Sequence, residues 1–564
     1  MEIKVRQDVV KTDVLVVGGG VGGMQAAIAA AESGASVIVA EKADTRRSGC
    51  GATGNDHFIC YIPDYHGDDF DEICREVTES LIGPQQDFNL LRLMMSRSFE
   101  LVQKWESYGI NMRPTGEYVF RGHAMPGRRR YHLKYDGKDQ KPLLTKKAKE
   151  VGAKIMNKTV MHQLLTNKDG AVIGAIGINI ANEVPELVIF QTKAVIIATG
   201  NAMRLYPGMN PAYLFNLANC PADAGGGQAM ALRAGAKLVN LDLPYVHSGP
   251  KYFSRCGKAT WIGVLTDFSG KPVGPFVTKP DKELGDVTAD IWQNVFEEKM
   301  ADGTGPVYMN CSETSDDDME YMFRAFESEG DTSLIDYMDQ YNIDLRKEMV
   351  EFGTFEYNLT GRGLDINLDG GASIPGLYAA GNVTGNVRGD ITSAAVFGQI
   401  CGENAAAYAK TVEGESVEGH PEIAKDVELC NNILGRKEGA TWKEANSMLQ
   451  QLMGDYVGIK LHSVRSESLM KAGIKYIRDL RKYALDQMMA TNAHELLRAL
   501  EVFDLIDVGE AIALMSENRK ESRGRCHKRS DYTFTNPLLG NKFQTIKKEK
   551  DGTFTLEFRE KRRK

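Results

Sequence analysis

The chain has 564 residues, 42% of them hydrophobic and 26% charged, with a formal net charge of −8. That is the composition of a globular protein with a large core and room for several domains. The acidic balance gives no reason to expect nucleic acid as a partner, and no apolar run reaches the roughly 18 residues of a transmembrane helix.

Residues 14–17, VLVV, form an apolar run expected of a strand buried on both faces of a parallel sheet. Gly18, Gly20 and Gly23 follow as G-x-G-x-x-G, with Gly22 inside the motif. The first glycine allows a tight turn, the second lets backbone approach a pyrophosphate, and the third lets helix pack on strand. Residues 24–33 are Ala-rich and helical, and the start of that helix offers free N–H groups and a positive dipole end. Residues 37–40 form a second strand, and Glu41 at its end is placed to accept the hydroxyls of an adenosine ribose. The whole βαβ unit is therefore present, but it does not choose between FAD and NAD. Three later segments make the choice. They are the basic, Gly-rich KADTRRSGCGATGN after Glu41, the strand-and-turn KAVIIATG at 193–200, and GLYAAGNVTGN at 376–386 with the helical run 393–407 behind it. A long cofactor needs several backbone approaches, and no second complete nucleotide unit is present to hold a nicotinamide.

The basic stretch RGHAMPGRRRYHLKYDGK, 121–138, reads either as an entrance for an anion or as a solvated hairpin. The acidic run SDDDME, 315–320, reads as a helix N-terminus, since its spacing is not that of a calcium loop. Residues 422–515 have helical periodicity with few glycines, and their Met and Leu stripes are core. The closing NKFQTIKKEKDGTFTLEFR alternates around Asp551-Gly552, a hairpin signal. Its basic end, FREKRRK, reads as a solvated tail. None of the nine cysteines lies in a CxxC pair, so reduced, buried thiols are expected and no metal or cluster site. The opening MEIKVRQDVVKTD has no apolar signal core, and the expected location is the cytoplasm.

The opening unit, RRSGCGATGN, KAVIIATG, DAGGGQAMALRAGA (223–236), GLYAAGN and ESRGRCHKRSDY (521–532) span nearly the whole chain. Together they resemble the flavoprotein subunits of the succinate dehydrogenase/fumarate reductase superfamily. LVQKWESYGI, HELLRALEVFDLIDVGEAI and the β-like tail make the chain most like the alpha subunit of adenylylsulfate reductase and its relatives. The resemblance implies an α/β fold: a Rossmann-like FAD-binding domain (1–240 and 357–420), an inserted α+β capping domain (241–356), a helical domain (421–530) and a β-hairpin tail (531–564). It implies FAD held by Gly18, Gly20, Gly22, Gly23, Glu41, Lys42, Ser48, Gly49, Gly51, Ala198, Thr199, Gly200, Asp223, Gly381, Asn382, Ser393 and Ala394. Membrane-bound relatives link the flavin to a histidine in the loop after Glu41. Here that position reads Ser48-Gly49-Cys50, so a non-covalent FAD is expected, with His57 the alternative attachment point.

For the chemistry, the resemblance carries Arg255 in SRCGKATW, as proton donor or anion clamp, and His247 in YVHSGP. The family's second histidine falls near Asn358 or Leu359 and its second arginine near Thr392, so two carboxylate anchors are missing. That argues against fumarate or succinate, because a bidentate arginine–carboxylate contact is hard to replace. Arg362 and Arg388 lie near the gaps and are candidates for a rearranged anion site, against the plainer reading of inter-domain ion pairs. Adenylylsulfate reductase is not fully matched either. Lys138 stands where its loop is acidic, its late histidine falls at Arg362 or Gly363, and its flavin-facing asparagine corresponds to Asn55 in a loop of different length. The function expected is an FAD-dependent oxidoreductase that exchanges electrons between a small anionic substrate and a ferredoxin-like iron–sulfur subunit, within a hetero-oligomer. The alternatives are a free-standing oxidase of the L-aspartate oxidase kind and a non-catalytic electron-transfer subunit that keeps its FAD.

Overall fold

The computed structural model describes residues 1–79, 86–123, 127–208, 219–251, 260–274, 277–284, 294–458, 465–524 and 526–562. Its largest sheet runs in the order Lys154–Asn157, Val37–Glu41, Val10–Val17, Glu186–Ile197, Val172–Asn179, Thr159–Thr166. The first four strands are mutually parallel, and Val14, Leu15 and Val16 are fully buried. The twelve-residue strand Glu186–Ile197 serves two halves of the sheet. Its start pairs antiparallel with Val172–Asn179, and its end pairs in parallel with both Val10–Val17 and Leu377–Ala379. The strands Val10–Val17, Glu186–Ile197 and Leu377–Ala379 end at one edge, where ligands bind in open α/β sheets. The helix Val21–Glu32 covers one face with the Ala- and Gly-rich helix Asp390–Ala409 beside it.

A second, separate core contains Trp261, Phe296, Met309, Met322, Phe326 and Phe352. It lies under a sheet ordered Tyr245–Pro250, Val350–Asn358, Val307–Asn310, Val264–Thr266, with the helices Val295–Ala301, Asp316–Glu329 and Thr332–Tyr341. The stretch from Trp261 to Phe352 therefore buries apolar surface of its own. The acidic run opens the helix Asp316–Glu329 as expected: Ser315 Oγ accepts from the Asp318 N–H at 3.2 Å, and three acids fill the first turn.

Four helices, Pro421–Gly435, Trp442–Tyr456, Glu467–Gln487 and Ala493–Asn518, form the predicted helical region. The last is buried along nearly its whole length, with acidic side chains among the buried ones. The closing hairpin also forms, Lys542–Lys548 against Phe554–Glu560. It does not stand apart as a tail: Thr545 and Ile546 pair with Val239 and Leu238, and Arg559 bonds to both Asp87 and Asp365. The basic stretch near residue 128 is matched by acids. Arg128 meets Glu76 at 2.9 Å, Arg129 meets Glu72 at 2.7 Å, and Arg121 meets Glu283 at 2.9 Å. No described helix is long and apolar enough to cross a membrane. The eight described cysteines are free thiols, six of them buried.

Candidate functional site

One cleft follows the carboxyl edge of the parallel strands and continues to Tyr245 and Asn358 of the second sheet. All the predicted cofactor residues line it except Gly23 and Ser393. Gly23 acts from behind: a side-chain carbon there would sit 1.9 Å from the Gly18 carbonyl oxygen, so glycine is what lets helix meet strand. Gly18 itself has φ +96°, open to glycine and costly for other residues. Ser393 is buried, and its hydroxyl donates to the Asp390 carbonyl.

At one end Glu41 is buried, and its carboxylate accepts the Gly19 N–H at 2.6 Å and the Ala43 N–H at 2.8 Å. Lys42 donates to the Ala222 carbonyl and to Glu501 at 3.0 Å, tying this end to the long buried helix. Asp223 accepts from the Cys50 thiol at 3.3 Å, and burial pushes its carboxyl above the usual range. The middle is the glycine turn and the start of Val21–Glu32, which no side chain caps and whose first turn holds no acid. Lys141, fully buried, donates to the Gly19 carbonyl beneath that turn; burial lowers its ammonium to about 8. The other end is walled by Gly49, Gly51, Gly381 and Ala394, small residues that leave room for a flat ring. Gln140 braces it by donating to the Gly51 carbonyl at 2.9 Å. This donor set fits FAD. There is a carboxylate for the ribose, an uncapped helix start for the pyrophosphate and a flat-walled slot for the ring. Thr199, whose buried hydroxyl has no partner among the described residues, stands in the wall.

At its far end the cleft is lined by Tyr245, Asn358, Thr360 and Arg388. Tyr245 and Asn358 face each other across the neighbouring strands Tyr245–Pro250 and Val350–Asn358. The Arg388 guanidinium lies 3.9 Å from the Tyr245 ring centroid, with its Nε 3.5 Å from Asp390. Asn358 Oδ1 accepts from the Thr360 N–H at 3.0 Å, which fixes the amide's orientation. Its buried Nδ2 has no hydrogen-bond acceptor among the described residues. Arg362 is not in the cleft lining: its guanidinium donates to the carbonyls of Leu243, Thr360 and Gly361. Burial, with Arg388 nearby, lowers it to about 10. Thr392 is buried with its hydroxyl accepting from the Ile59 N–H, so it does not substitute for the missing arginine. His247 lies on the strand Tyr245–Pro250 at a bulge, its side chain outside the described residues; Arg255 is outside them altogether.

A polar cluster faces the same chamber. Gly54, Asn55, His57, His123, Tyr131, His132 and Glu329 all line the cleft. Sequence reasoning weighed His57 only as a flavin attachment point and passed over Glu329, Lys141, Gln140 and Glu501. Nothing local marks those residues, because Glu329 and Glu501 reach the cleft, and Gln140 and Lys141 support its wall, from distant segments. Lys138, noted as a departure in sequence, is exposed and paired with Asp136 at 3.2 Å.

Residues 13–392 match the family of FAD binding domains, and residues 446–561 match the fumarate reductase flavoprotein C-terminal family. The chain is similar to a fumarate reductase (CoM/CoB) subunit from Methanothermobacter marburgensis, 24% identical over 555 residues that cover 93% of this chain and 95% of that one. In fold it resembles adenylylsulfate reductase from Archaeoglobus fulgidus, with a TM-score of 0.84 at 21% identity over 99% of this chain and 96% of that one. It also resembles quinol fumarate reductase from E. coli, with a TM-score of 0.79 at 19% identity over 100% and 98%. With the cleft's donor set and both family matches in agreement, the chain belongs to the family of FAD binding domains, carries the C-terminal region of the fumarate reductase flavoproteins, and is an FAD-dependent oxidoreductase.

Proposed function

We propose that this flavoprotein is the catalytic subunit of a hetero-oligomer that exchanges electrons between an iron–sulfur partner and a small anionic substrate other than fumarate or succinate. The observation that carries the reading is the pairing, under the cap, of the Arg388 guanidinium on Tyr245 with the unsatisfied amide donor of Asn358. A planar cation and a fixed N–H donor at one end of a flavin cleft suit an oxyanion. FAD supplies the two-electron chemistry when bound. The chain's own residues hold it without a covalent bond, orient the substrate and exclude water beneath the cap. Arg255 and His247 join the substrate site in this reading, and Arg362 supports it by fixing the backbone of residues 360–361. The segment 241–356 acts as the cap, and the location is cytoplasmic.

The test is anaerobic purification followed by acid denaturation, assay of co-purified iron, and a screen of small carboxylates and sulfur oxyanions. The expected result is FAD released into the supernatant, an iron–sulfur subunit in the preparation, and turnover that Arg388→Ala lowers mainly through KM. Full activity of the purified chain alone with oxygen would favour the free-standing oxidase. Rapid turnover of fumarate would overturn the substrate assignment.

A further inference from the structure

The polar cluster under the cap is built around a carboxylate and an imidazole from adjacent residues. Asp56 Oδ1 lies 2.6 Å from His57 Nδ1. Asp56 Oδ2 accepts from Lys134 Nζ at 2.7 Å and from the Thr260 hydroxyl at 2.9 Å. Lys134 and His57 are register partners on neighbouring strands, His57–Ile59 and His132–Lys134. The cap closes the cluster from the other side. Glu329, the last residue of the helix Asp316–Glu329, accepts the Asp56 N–H at 3.1 Å, and the helix end abuts the loop at Thr53 and Gly54. His57 keeps 15% of its side chain exposed and lines the cleft. Its ring centroid lies 4.7 Å from that of His123 and 5.3 Å from that of His132.

The hydrogen bonding assigns the tautomer. An ionised carboxylate only accepts, so His57 donates through Nδ1, and Nε2 is the basic nitrogen. We propose that His57 is an acid–base residue of this cleft, its Nε2 exchanging a proton with the substrate, and that Asp56 is the residue that orients it. The inference rests on the cleft under the cap being the reaction site. Two-electron oxidation of a substrate would release a hydride equivalent, for which FAD held in the cleft would be the acceptor, and a proton. That proton goes to His57 Nε2, leaving an imidazolium beside the Asp56 carboxylate. Reduction runs the same transfers backwards, with the imidazolium returning the proton.

The surrounding charges set the working range. Facing His57 are Asp56 on its own segment, Lys134 and His132 from the neighbouring strand and His123 from the adjoining loop; from the cap, Glu329 and Tyr321 act on Asp56, and Asp331 acts on Glu329. Burial lowers the His57 imidazole below its ordinary value, Asp56 works against that, and His123 and Lys134 add to it. At neutral pH the ring is therefore uncharged and ready to take a proton. Lys134 and His57 together hold Asp56 well below the usual carboxylate range despite its burial. Burial and the Asp56 charge push Glu329 well above its own, so Glu329 stays protonated and the cluster carries one compensated anion. The ligand atoms of Asp56, His57 and Glu329 lie within 4.8 Å of one another, close enough for a metal ion. Lys134 already supplies the positive charge at Asp56, which favours the acid–base reading.

The test reads the imidazole directly and then its kinetics. In the holoenzyme, diethyl pyrocarbonate modification of His57 is followed by peptide mass spectrometry across pH. The unprotonated ring reacts, so the profile gives its titration midpoint. The expected midpoint lies below 6.5, and it moves lower in Asp56→Asn, which removes the carboxylate that favours the imidazolium. In the substrate-oxidising direction, kcat/KM falls with decreasing pH through the same midpoint, and the limb shifts with Asp56→Asn. His57→Gln, checked for flavin content and thermal stability, lowers kcat about 10²- to 10⁴-fold and abolishes the limb. An ordinary His57 midpoint unmoved by Asp56→Asn overturns the proposal even if no substrate is found. So does a folded His57→Gln enzyme with near-normal turnover. A substrate that is not an anion would overturn the Arg388 assignment and leave the His57 titration standing.

Discussion

Replacing Gly23 by alanine tests whether the glycine turn holds its shape for packing or for the cofactor. The added carbon would lie 1.9 Å from the Gly18 carbonyl oxygen, 3.0 Å from its carbon and 3.3 Å from Ala198 Cβ. A relaxed carbon–oxygen contact is about 3.3 Å, so helix and strand must separate by roughly 1.4 Å. Strain of this kind in a packed core costs about 1–3 kcal/mol. Gly20→Ala is the matched control. Its nearest neighbour would be the Ala198 carbonyl oxygen at 3.8 Å, and its φ of −65° suits any residue. There the methyl leaves the apo fold intact and obstructs the approach of the pyrophosphate. Losing a charge-assisted hydrogen bond there costs about 1.5–3 kcal/mol, roughly a 10- to 100-fold weaker Kd for FAD. Flavin-stripped protein would be melted by circular dichroism and titrated with FAD by fluorescence quenching. Gly23→Ala should lower the apo Tm and the affinity together, and Gly20→Ala the affinity alone. If Gly23→Ala melts and binds like the parent, or if the two variants lose fold equally, the packing argument is refuted.

Two further outcomes concern the bonds that join distant segments. Burial alone would raise the Glu501 carboxyl, but Lys42, Arg204 and Arg498 override it and hold it down to about 2. Its contribution is therefore complete above about 4.5 and is lost as pH falls toward 2, a difference of about 3 kcal/mol. Glu501→Gln should flatten that part of the acid-unfolding curve and weaken FAD binding through Lys42; an unchanged acid limb would remove the assignment. Arg559 joins Asp87 at 2.8 Å and Asp365 at 2.6 Å, with both carboxylates buried. Arg559→Ala removes the cation the two share and leaves Asp365 only the Arg562 guanidinium at 3.8 Å. The expected cost is about 3–5 kcal/mol, with faster proteolysis in the closing hairpin; a Tm within a degree of the parent would refute it.

The cofactor end was legible in sequence because its chemistry is carried by backbone. A strand, a glycine turn, a helix start and a terminal acid are contiguous; Gly18 and Gly23 answer local steric demands that no other residue meets, and Gly20 leaves room for the pyrophosphate. The same holds for the capped acidic helix at 316 and the hairpin around Asp551-Gly552, whose signals are short-range. The substrate end was not legible in this way. Arg388 and Arg362 look alike in sequence, close to the same gap, yet one stacks on Tyr245 in the cleft and the other is spent on three carbonyls behind its wall. Asp56, Lys134, Thr260 and Glu329 come from four separate segments, and only the packing of Thr260 and of the helix Asp316–Glu329 onto Asp56 completes the cluster. A side chain's charge state and partners depend on what burial takes from it and what distant groups give back. Those quantities exist only once the chain has folded. Local order therefore determined that this protein binds FAD, and tertiary packing decided which of its polar residues are left to act on a substrate.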